Sequence, residues 1–170
     1  MKKFFGVALA VVLLSTVTFA APGAKPKATG DADWINGEAF DQPANLTFNA
    51  INTDVAKGLA KGSAIYSDAN ITYTMDVQFL KVDKNIAWFA GQVTSVTAAG
   101  DSQGCCKAGY WIFLKVVDNG EPGTLDEVSG EDLTAGKGIL DGAVAANLVM
   151  TMANPDSAPF VLTGGNIQVR

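Results

Sequence analysis

The feature that most constrains this chain is a strict alternation of apolar and polar side chains in residues 71–79. The apolar set is Ile71, Tyr73, Met75, Val77 and Phe79, and the residues between them are Thr, Thr, Asp and Gln. Successive side chains of a β-strand point to opposite faces of the sheet. A period of two therefore predicts an antiparallel strand with one buried face and one face in water.

The alternation shifts by one residue at Phe79-Leu80, which predicts a β-bulge at that point. The sequence Asp83-Lys84-Asn85 is typical of a tight turn. Residues 86–97 (IAWFAGQVTSVT) then predict a returning strand, in which Gly91 indicates a bend or a close approach of two backbones. Together these segments predict a long antiparallel hairpin.

Six further segments predict strands: residues 46–50, 61–66, 110–117, 144–152, 160–162 and 166–169. Residues 110–117 (YWIFLKVV) are apolar on both alternating sets as far as Lys115, which indicates a central strand or one covered on both faces. Helical turns are suggested in residues 53–60 and 131–140, where glycines weaken the pattern. The sequence predicts an all-β fold, either an antiparallel β-barrel or a barrel-like β-sandwich of about eight strands.

The first twenty residues have the layout of a secretory signal peptide. Lys2 and Lys3 precede an uncharged apolar run, and Thr18 and Ala20 occupy positions −3 and −1 of a cleavage site. A membrane anchor is the alternative, but the run is short for a span of about 20 residues. We expect residues 1–20 to be a signal peptide, 21–33 a flexible segment rich in Pro, Gly and Lys, and 34–170 a single β-domain. This organisation predicts a secreted or periplasmic protein that is not integral to the membrane after cleavage.

The charge of the chain argues against anionic partners. The sequence holds 12 Lys and Arg against 17 Asp and Glu, and removing Lys2 and Lys3 leaves ten basic residues and a net charge of −7. No basic cluster lies beyond the leader, so nucleic acid and anionic membranes are not expected partners. The chain also has no histidine. Histidine-dependent nucleophile activation is therefore excluded within the chain, and the commonest transition-metal ligand is missing.

The two cysteines, Cys105 and Cys106, are adjacent. Adjacent cysteines cannot link distant strands of one chain, and they form neither a CxxC motif nor a tetrahedral zinc site. Three states remain in an oxidising compartment: a vicinal disulfide, a disulfide to another chain, or two free thiols.

An acidic loop at residues 118–132 (DNGEPGTLDEVSGED) carries oxygen ligands of the kind that Ca²⁺ prefers. The candidate ligands are Asp118, Asn119, Glu121 and Asp126. Their spacing does not match an EF-hand, because Gly120 and Pro122 fall where ligands are needed. The alternative is a solvated loop with Asp118-Asn119-Gly120 as its turn. Calcium is the cofactor that this loop allows, and nothing else in the sequence indicates a cofactor.

Aromatic side chains on the strands are the other candidate site. Trp111 and Phe113 alternate on one predicted strand, and if both of its faces were not covered they would form an exposed patch for a glycan or a partner protein. Aromatic residues on alternating strands more often belong to the core, so this patch is a hypothesis about exposure.

Several segments resemble a family of exported bacterial all-β proteins of unknown function. Residues 116–121 (VVDNGE) are similar to its VVDNGE segment, residues 165–170 (GNIQVR) to its closing GNIQVR, and residues 46–50 (LTFNA) to its FSFNA stretch. The IAWFAGQV core of residues 86–93 resembles its central hairpin. The pieces follow the family's order over residues 44–170. The Cys105-Cys106 pair and residues 130–159 depart from that pattern. The resemblance implies a secreted β-domain and supplies no catalytic residues.

The sequence thus predicts an exported, non-catalytic β-domain that binds or supports some component of the cell envelope or the extracellular space. An envelope protein or a glycan is the expected partner. One alternative is a carboxylate-dependent hydrolase built on the acidic loop, with or without the assistance of calcium. Another is an assembly subunit that pairs its edge strands with those of other chains.

Overall fold

The computed structural model describes residues 24–36, 42–98, 107–120, 126–131, 139, 141–155 and 158–170. Its elements, in chain order, are β1 (Lys27–Asn36), β2 (Gln42–Asp54), β3 (Leu59–Ser67), β4 (Ile71–Asp83), β5 (Ile86–Ala98), β6 (Trp111–Val117), β7 (Glu127–Glu131), α1 (Gly142–Thr151), β8 (Phe160–Val161) and β9 (Gly164–Val169). The predicted signal peptide, Cys105 and Cys106 lie outside the described residues.

The nine strands form one antiparallel sheet in the order β8-β7-β6-β5-β4-β3-β2-β1-β9. Consecutive strands from β1 to β8 pair with their neighbours in the chain, and β9 returns to pair with β1. The sheet curls into a half-barrel around a single inner core. The predicted all-β, barrel-like class is confirmed, with nine strands among the described residues in place of about eight.

Small residues on the inner face allow the sheet to curl. Buried alanines recur there on several strands, at Ala28, Ala32, Ala44, Ala50, Ala60, Ala64 and Ala87. Large side chains such as Phe48 and Phe89 fill the space between them, with their rings stacked at a centroid distance of 5.0 Å. Small and large residues alternating on the inside are what a strongly curved sheet needs to fill a narrow interior.

The predicted hairpin is the β4–β5 pair. The register shifts between Val77 and Phe79, which confirms a bulge next to the predicted position, and a second shift follows Thr74. Lys84 turns the chain with φ 56°. A Cβ on Gly91 would lie 2.6 Å from the Asp76 carbonyl oxygen, which confirms the close backbone approach.

One predicted strand is a helix. Residues 144–152 were assigned to a strand from their period-two row, but α1 spans Gly142–Thr151. Almost every position in this segment is apolar, so the row fits a period of two without excluding a helical period. Asp141 caps the helix by accepting a hydrogen bond from the Ala143 amide at 2.8 Å.

Helix α1 covers the outer face of β5 and β6. Ala145 and Val149, one turn apart, are fully buried and pack with Trp88, Ala90, Trp111 and Phe113. The inner-facing residues of β6, including Ile112 and Leu114, belong to the main core. The prediction that residues 110–117 are covered on both faces is confirmed for β6.

Two boundary predictions need correction. Residues 27–33 were expected to be flexible, but they begin β1, which pairs with both β2 and β9. Ala28 and Ala32 are fully buried there, so this stretch belongs to the core despite its Gly and Lys content. Residues 55–58 form a turn between β2 and β3 in place of the suggested helical turn.

Among the described residues, no helix has the length and apolar character that a membrane crossing requires.

Candidate functional site

Two acidic side chains of the predicted calcium loop accept hydrogen bonds from backbone amides of the same loop and of β9. The Asp126 carboxylate accepts hydrogen bonds from the amides of Asn119 at 2.9 Å and Ile167 at 2.8 Å. The Asp118 carboxylate accepts from Gly120 and Val169, both at 3.0 Å. Each of the four carboxylate oxygens thus has a backbone donor. We call Asp118, Asp126, Ile167 and Val169 the carboxylate seam.

The carboxylate seam bridges two parts of the sheet that are not joined by strand pairing. Strand β9 pairs with β1 on one side, and its Ile167 and Val169 amides on the other side meet side chains that adjoin β6 and β7. Asp126 is 8% exposed, so its charge is stabilised by these donors and not by water. The structure assigns Asp118 and Asp126 a structural role.

The described residues hold no cluster of three acidic or cysteine side chains suited to a metal ion. Glu121 lies outside the described residues, and Asn119 contributes its backbone amide to Asp126. The calcium site remains a hypothesis, and Ca²⁺ binding to Asp118 and Asp126 would compete with four backbone hydrogen bonds.

The aromatic patch predicted at Trp111 and Phe113 is not exposed. Trp111 is 8% exposed and Phe113 is fully buried, because α1 lies over them. Trp111 also contacts Phe79, with ring centroids 5.6 Å apart. An exposed binding patch at these two residues is wrong, and both side chains belong to the core between the helix and the sheet.

A pocket of about 340 Å³ lies where the β1–β2 hairpin ends beside the turn that joins β3 to β4. We call it the barrel-end pocket. Its apolar lining residues are Trp34, Ile35, Pro43, Ala44 and Ala69, and its polar ones are Asp33, Asn45, Ser67, Asp68 and Thr163.

A polar row crosses three strands on one side of this pocket. Asp33 pairs in register with Asn45, which pairs with Ser67. The Asn45 side-chain amide donates 2.8 Å hydrogen bonds to both Asp33 Oδ1 and Asp31 Oδ1. These contacts hold the row in place. They engage only one oxygen of the exposed Asp33 carboxylate, Oδ1.

An apolar rim adjoins the polar row at the next register position. Ile35 pairs with Pro43, and Ile35 is 46% exposed. Trp34 also lines the pocket and is 1% exposed, and among the described residues its indole N–H has no hydrogen-bond partner. The Trp34 ring lies on the inner face of β1, against Tyr66 and Phe160, and belongs to the main core.

The other acidic residue of the pocket shapes its turn. Asp68 Oδ1 accepts from the amides of Asn70 and Ile71, at 2.7 and 2.8 Å, and its Oδ2 accepts from the Tyr66 hydroxyl at 2.8 Å. Tyr66 in turn packs against Trp34, with ring centroids 6.0 Å apart. The pocket therefore rests on aromatic residues of the main core.

A smaller pocket of about 130 Å³ lies on the outer face at Lys115, Glu127, Ser129 and Asn154. Lys115 Nζ donates to Asn154 Oδ1 at 2.9 Å and lies 5.9 Å from the centre of the Trp88 ring. Because these contacts already position its ammonium group, Lys115 helps to hold the chain after α1 against β6.

Sequence reasoning missed the barrel-end pocket. Its residues come from β1, β2, the β3–β4 turn and the end of the chain, and three of them, Asp33, Asn45 and Ser67, are ordinary polar positions of alternating strands. Only the register of the strands brings them side by side. Because residues 21–33 were predicted to be flexible, nothing in the sequence indicated that Asp33 pairs with Asn45.

Comparison with protein-family models, curated proteins and solved structures gave no match to this chain. The resemblance to exported bacterial proteins therefore stays a prediction from the sequence segments.

Proposed function

We propose that this protein is an exported, non-catalytic binding module whose barrel-end pocket holds a sugar residue of a glycan in the envelope or the extracellular space. The observation that carries the proposal is the pairing of a polar row with an apolar rim across adjacent strands. A sugar ring has a similar division, because hydroxyl groups project around its edge while its C–H groups form apolar faces.

The polar row offers complementary chemistry to hydroxyl groups. Asp33 accepts hydrogen bonds. The Ser67 hydroxyl, which shares a 2.9 Å hydrogen bond with Thr72, and the Asn45 amide oxygen, which accepts from Thr47 at 3.4 Å, each keep further hydrogen-bonding capacity. Ile35 and Pro43 give the C–H face an apolar contact. The volume of about 340 Å³ is at the lower end of the range for small-molecule sites, in keeping with one or two sugar units.

The lining also argues against anionic ligands. It contains two aspartates and no lysine or arginine. Phosphate and carboxylate ligands need cationic or oriented amide donors, and two carboxylates would repel them. Neutral or cationic ligands therefore fit better than nucleotides or acidic peptides.

The assembly alternative has less support from the strand edges. Strand β8 is two residues long, and β9 directs the Ile167 and Val169 amides into the carboxylate seam. A short edge strand, and backbone N–H groups that already donate hydrogen bonds within the chain, both oppose pairing with a strand of another chain. The hydrolase alternative also loses support, because Asp118 and Asp126 are engaged with the backbone.

The test is binding of the mature chain, residues 21–170, to a panel of soluble oligosaccharides by isothermal titration calorimetry. We expect Asn45→Ala to weaken binding of the best ligand about fivefold to tenfold, the loss of about 1 kcal/mol that one or two hydrogen bonds bring. Asn49→Ala is the matched control, since Asn49 lies on the outer face of the same strand and does not line the pocket.

Thermal unfolding of both variants shows whether they fold. Binding of no oligosaccharide would reject the proposal. Equal weakening by Asn45→Ala and Asn49→Ala would move the binding site away from the barrel-end pocket.

A further inference from the structure

Three polar side chains with unused hydrogen-bonding capacity line the smaller pocket on the outer face of the sheet. This pocket, of about 130 Å³, is lined by Lys115, Glu127 and Ser129 together with Asn154 and apolar side chains. Lys115 pairs in register with Ser129, and Glu127 pairs with Val117 at the next position on the same face. The Cβ atoms of such cross-strand pairs are about 4.5–5.5 Å apart, so the three polar groups share one small space. We call it the outer pocket.

The Ser129 side chain is the observation that points to an occupant. The residue is only 6% exposed, and yet it lines the pocket. Among the described residues, the Ser129 hydroxyl has no hydrogen-bond partner. The large majority of buried hydroxyl groups are hydrogen-bonded, because a missing bond destabilises the fold. A buried hydroxyl that meets a pocket and no protein partner is therefore placed to bond a small molecule there.

The two charged groups of the pocket do not pair with each other. Lys115 Nζ donates to Asn154 Oδ1 at 2.9 Å and lies 5.9 Å from the centre of the Trp88 ring. The ion pair found within the described part of the chain lies elsewhere, at the end of β2, and includes neither Lys115 nor Glu127. An ammonium group has three donors, and a carboxylate accepts through two oxygens. The outer pocket thus presents a cation and an anion, each with unused capacity, to the same space.

We infer that the outer pocket binds a small free α-amino acid, such as alanine, as its zwitterion. The ligand carboxylate accepts from Lys115 Nζ and the Ser129 hydroxyl, and the ligand ammonium group donates to the Glu127 carboxylate. One molecule then satisfies all three groups. A simple anion would be repelled by Glu127 and a simple cation by Lys115. The outer pocket is separate from the barrel-end pocket, so this inference does not depend on the proposed function.

The size and the lining of the outer pocket restrict the ligand further. Its volume of about 130 Å³ is below the range of about 300–1,000 Å³ for drug-sized ligands, so the occupant has few non-hydrogen atoms. Val117, Pro155 and Pro159 supply the apolar lining. A methyl side chain fits this lining better than a long or polar one. Peptides fit less well, because their terminal ammonium and carboxylate groups are not on the same carbon atom.

The partial exposure of Lys115 and Glu127 limits the affinity. An ion pair at such a site changes affinity by up to about fivefold, and salt screens it. We therefore expect alanine to bind with a dissociation constant in the millimolar range. Alaninamide, which lacks the carboxylate, and N-acetylalanine, which lacks the ammonium group, should each bind about three- to fivefold more weakly.

The experiment titrates the ¹⁵N-labelled mature chain with each of the three compounds at low ionic strength and follows the amide chemical shifts. Ser129→Ala should weaken alanine binding about fivefold, the effect of one hydrogen bond, and leave the unfolding temperature unchanged. Glu127→Gln should bring alanine and N-acetylalanine to equal affinity. Ser63→Ala is the control for Ser129→Ala, because Ser63 is an exposed serine of β3 that does not line the pocket.

The outcomes are distinguishable. If alanine does not shift the amide signals of β6 and β7, the outer pocket is not an amino-acid site. Equal affinities of the wild-type protein for the three compounds would overturn the zwitterion as the ligand. An equal effect of Ser63→Ala and Ser129→Ala would place the binding elsewhere. A lower unfolding temperature in Ser129→Ala alone would give the hydroxyl a structural role and remove the observation on which the inference rests.

Discussion

The Asp126 carboxylate accepts a hydrogen bond from the Ile167 amide at 2.8 Å, across 41 residues of chain. Two residues further along β9, the Val169 amide donates to Asp118 at 3.0 Å. Asp118 and Val169 belong to the VVDNGE and GNIQVR segments on which the family resemblance rests. Two segments that are distant in sequence are thus in direct contact through these two hydrogen bonds.

Removal of the Asp126 side chain should destabilise the fold. In Asp126→Ala the Ile167 amide, which is buried, and the Asn119 amide lose this acceptor. Unsatisfied donors and lost charge-assisted bonds predict a decrease of about 2–4 kcal/mol in the free energy of unfolding, measured by urea denaturation. Asp83→Ala, an exposed acid at the β4–β5 turn, should change it by less than about 0.5 kcal/mol. Similar losses in the two variants would show that the carboxylate seam does not stabilise the sheet.

Calcium should not stabilise the protein through the acidic loop. All four oxygens of Asp118 and Asp126 accept backbone hydrogen bonds, so a calcium ion would have to share these oxygens with four N–H donors. A site that binds only the folded state raises the unfolding temperature as the ligand concentration rises. We expect unfolding temperatures in calcium chloride and in EDTA to agree. A calcium-dependent increase that Asp126→Ala removes would instead support the calcium hypothesis.

The sequence was most informative where alternation is strict. The alternation predicts the inner face of β4 correctly for residues 71–77, where a polar residue follows each buried one. Phe79 was expected on the same face, but the bulge places it on the outer face, against Trp111. The segment that became α1 has no such contrast, so its period could not be determined. The carboxylate seam and the barrel-end pocket could not be predicted at all, because both depend on pairing between residues such as Asp126 and Ile167 that are distant in sequence.

Gly62 should be intolerant of any side chain. A Cβ at this position would lie 1.8 Å from the Asn49 carbonyl oxygen on the paired strand, and backbone there cannot move without disturbing β2. For Gly91 the corresponding distance to the Asp76 oxygen is 2.6 Å. We expect Gly62→Ala to cost about 3 kcal/mol or more and Gly91→Ala less, since overpacking commonly costs about 1–3 kcal/mol. Chemical denaturation measures both, and the reverse order would contradict the close approach of β2 and β3.

Helix α1 should contribute to stability through one face. Val149 is fully buried against the outer side of β5 and β6, whereas Val144, on the same helix, is 48% exposed. Replacing each by alanine removes the same atoms and improves intrinsic helix propensity equally. Val149→Ala also loses buried apolar contact and leaves a cavity, which predicts a cost of about 1.5–3 kcal/mol in the free energy of unfolding. Val144→Ala should be neutral or slightly stabilising, because only the propensity term remains. Urea unfolding followed by far-ultraviolet circular dichroism measures both. Equal effects would mean that the helix does not cover the sheet through Val149.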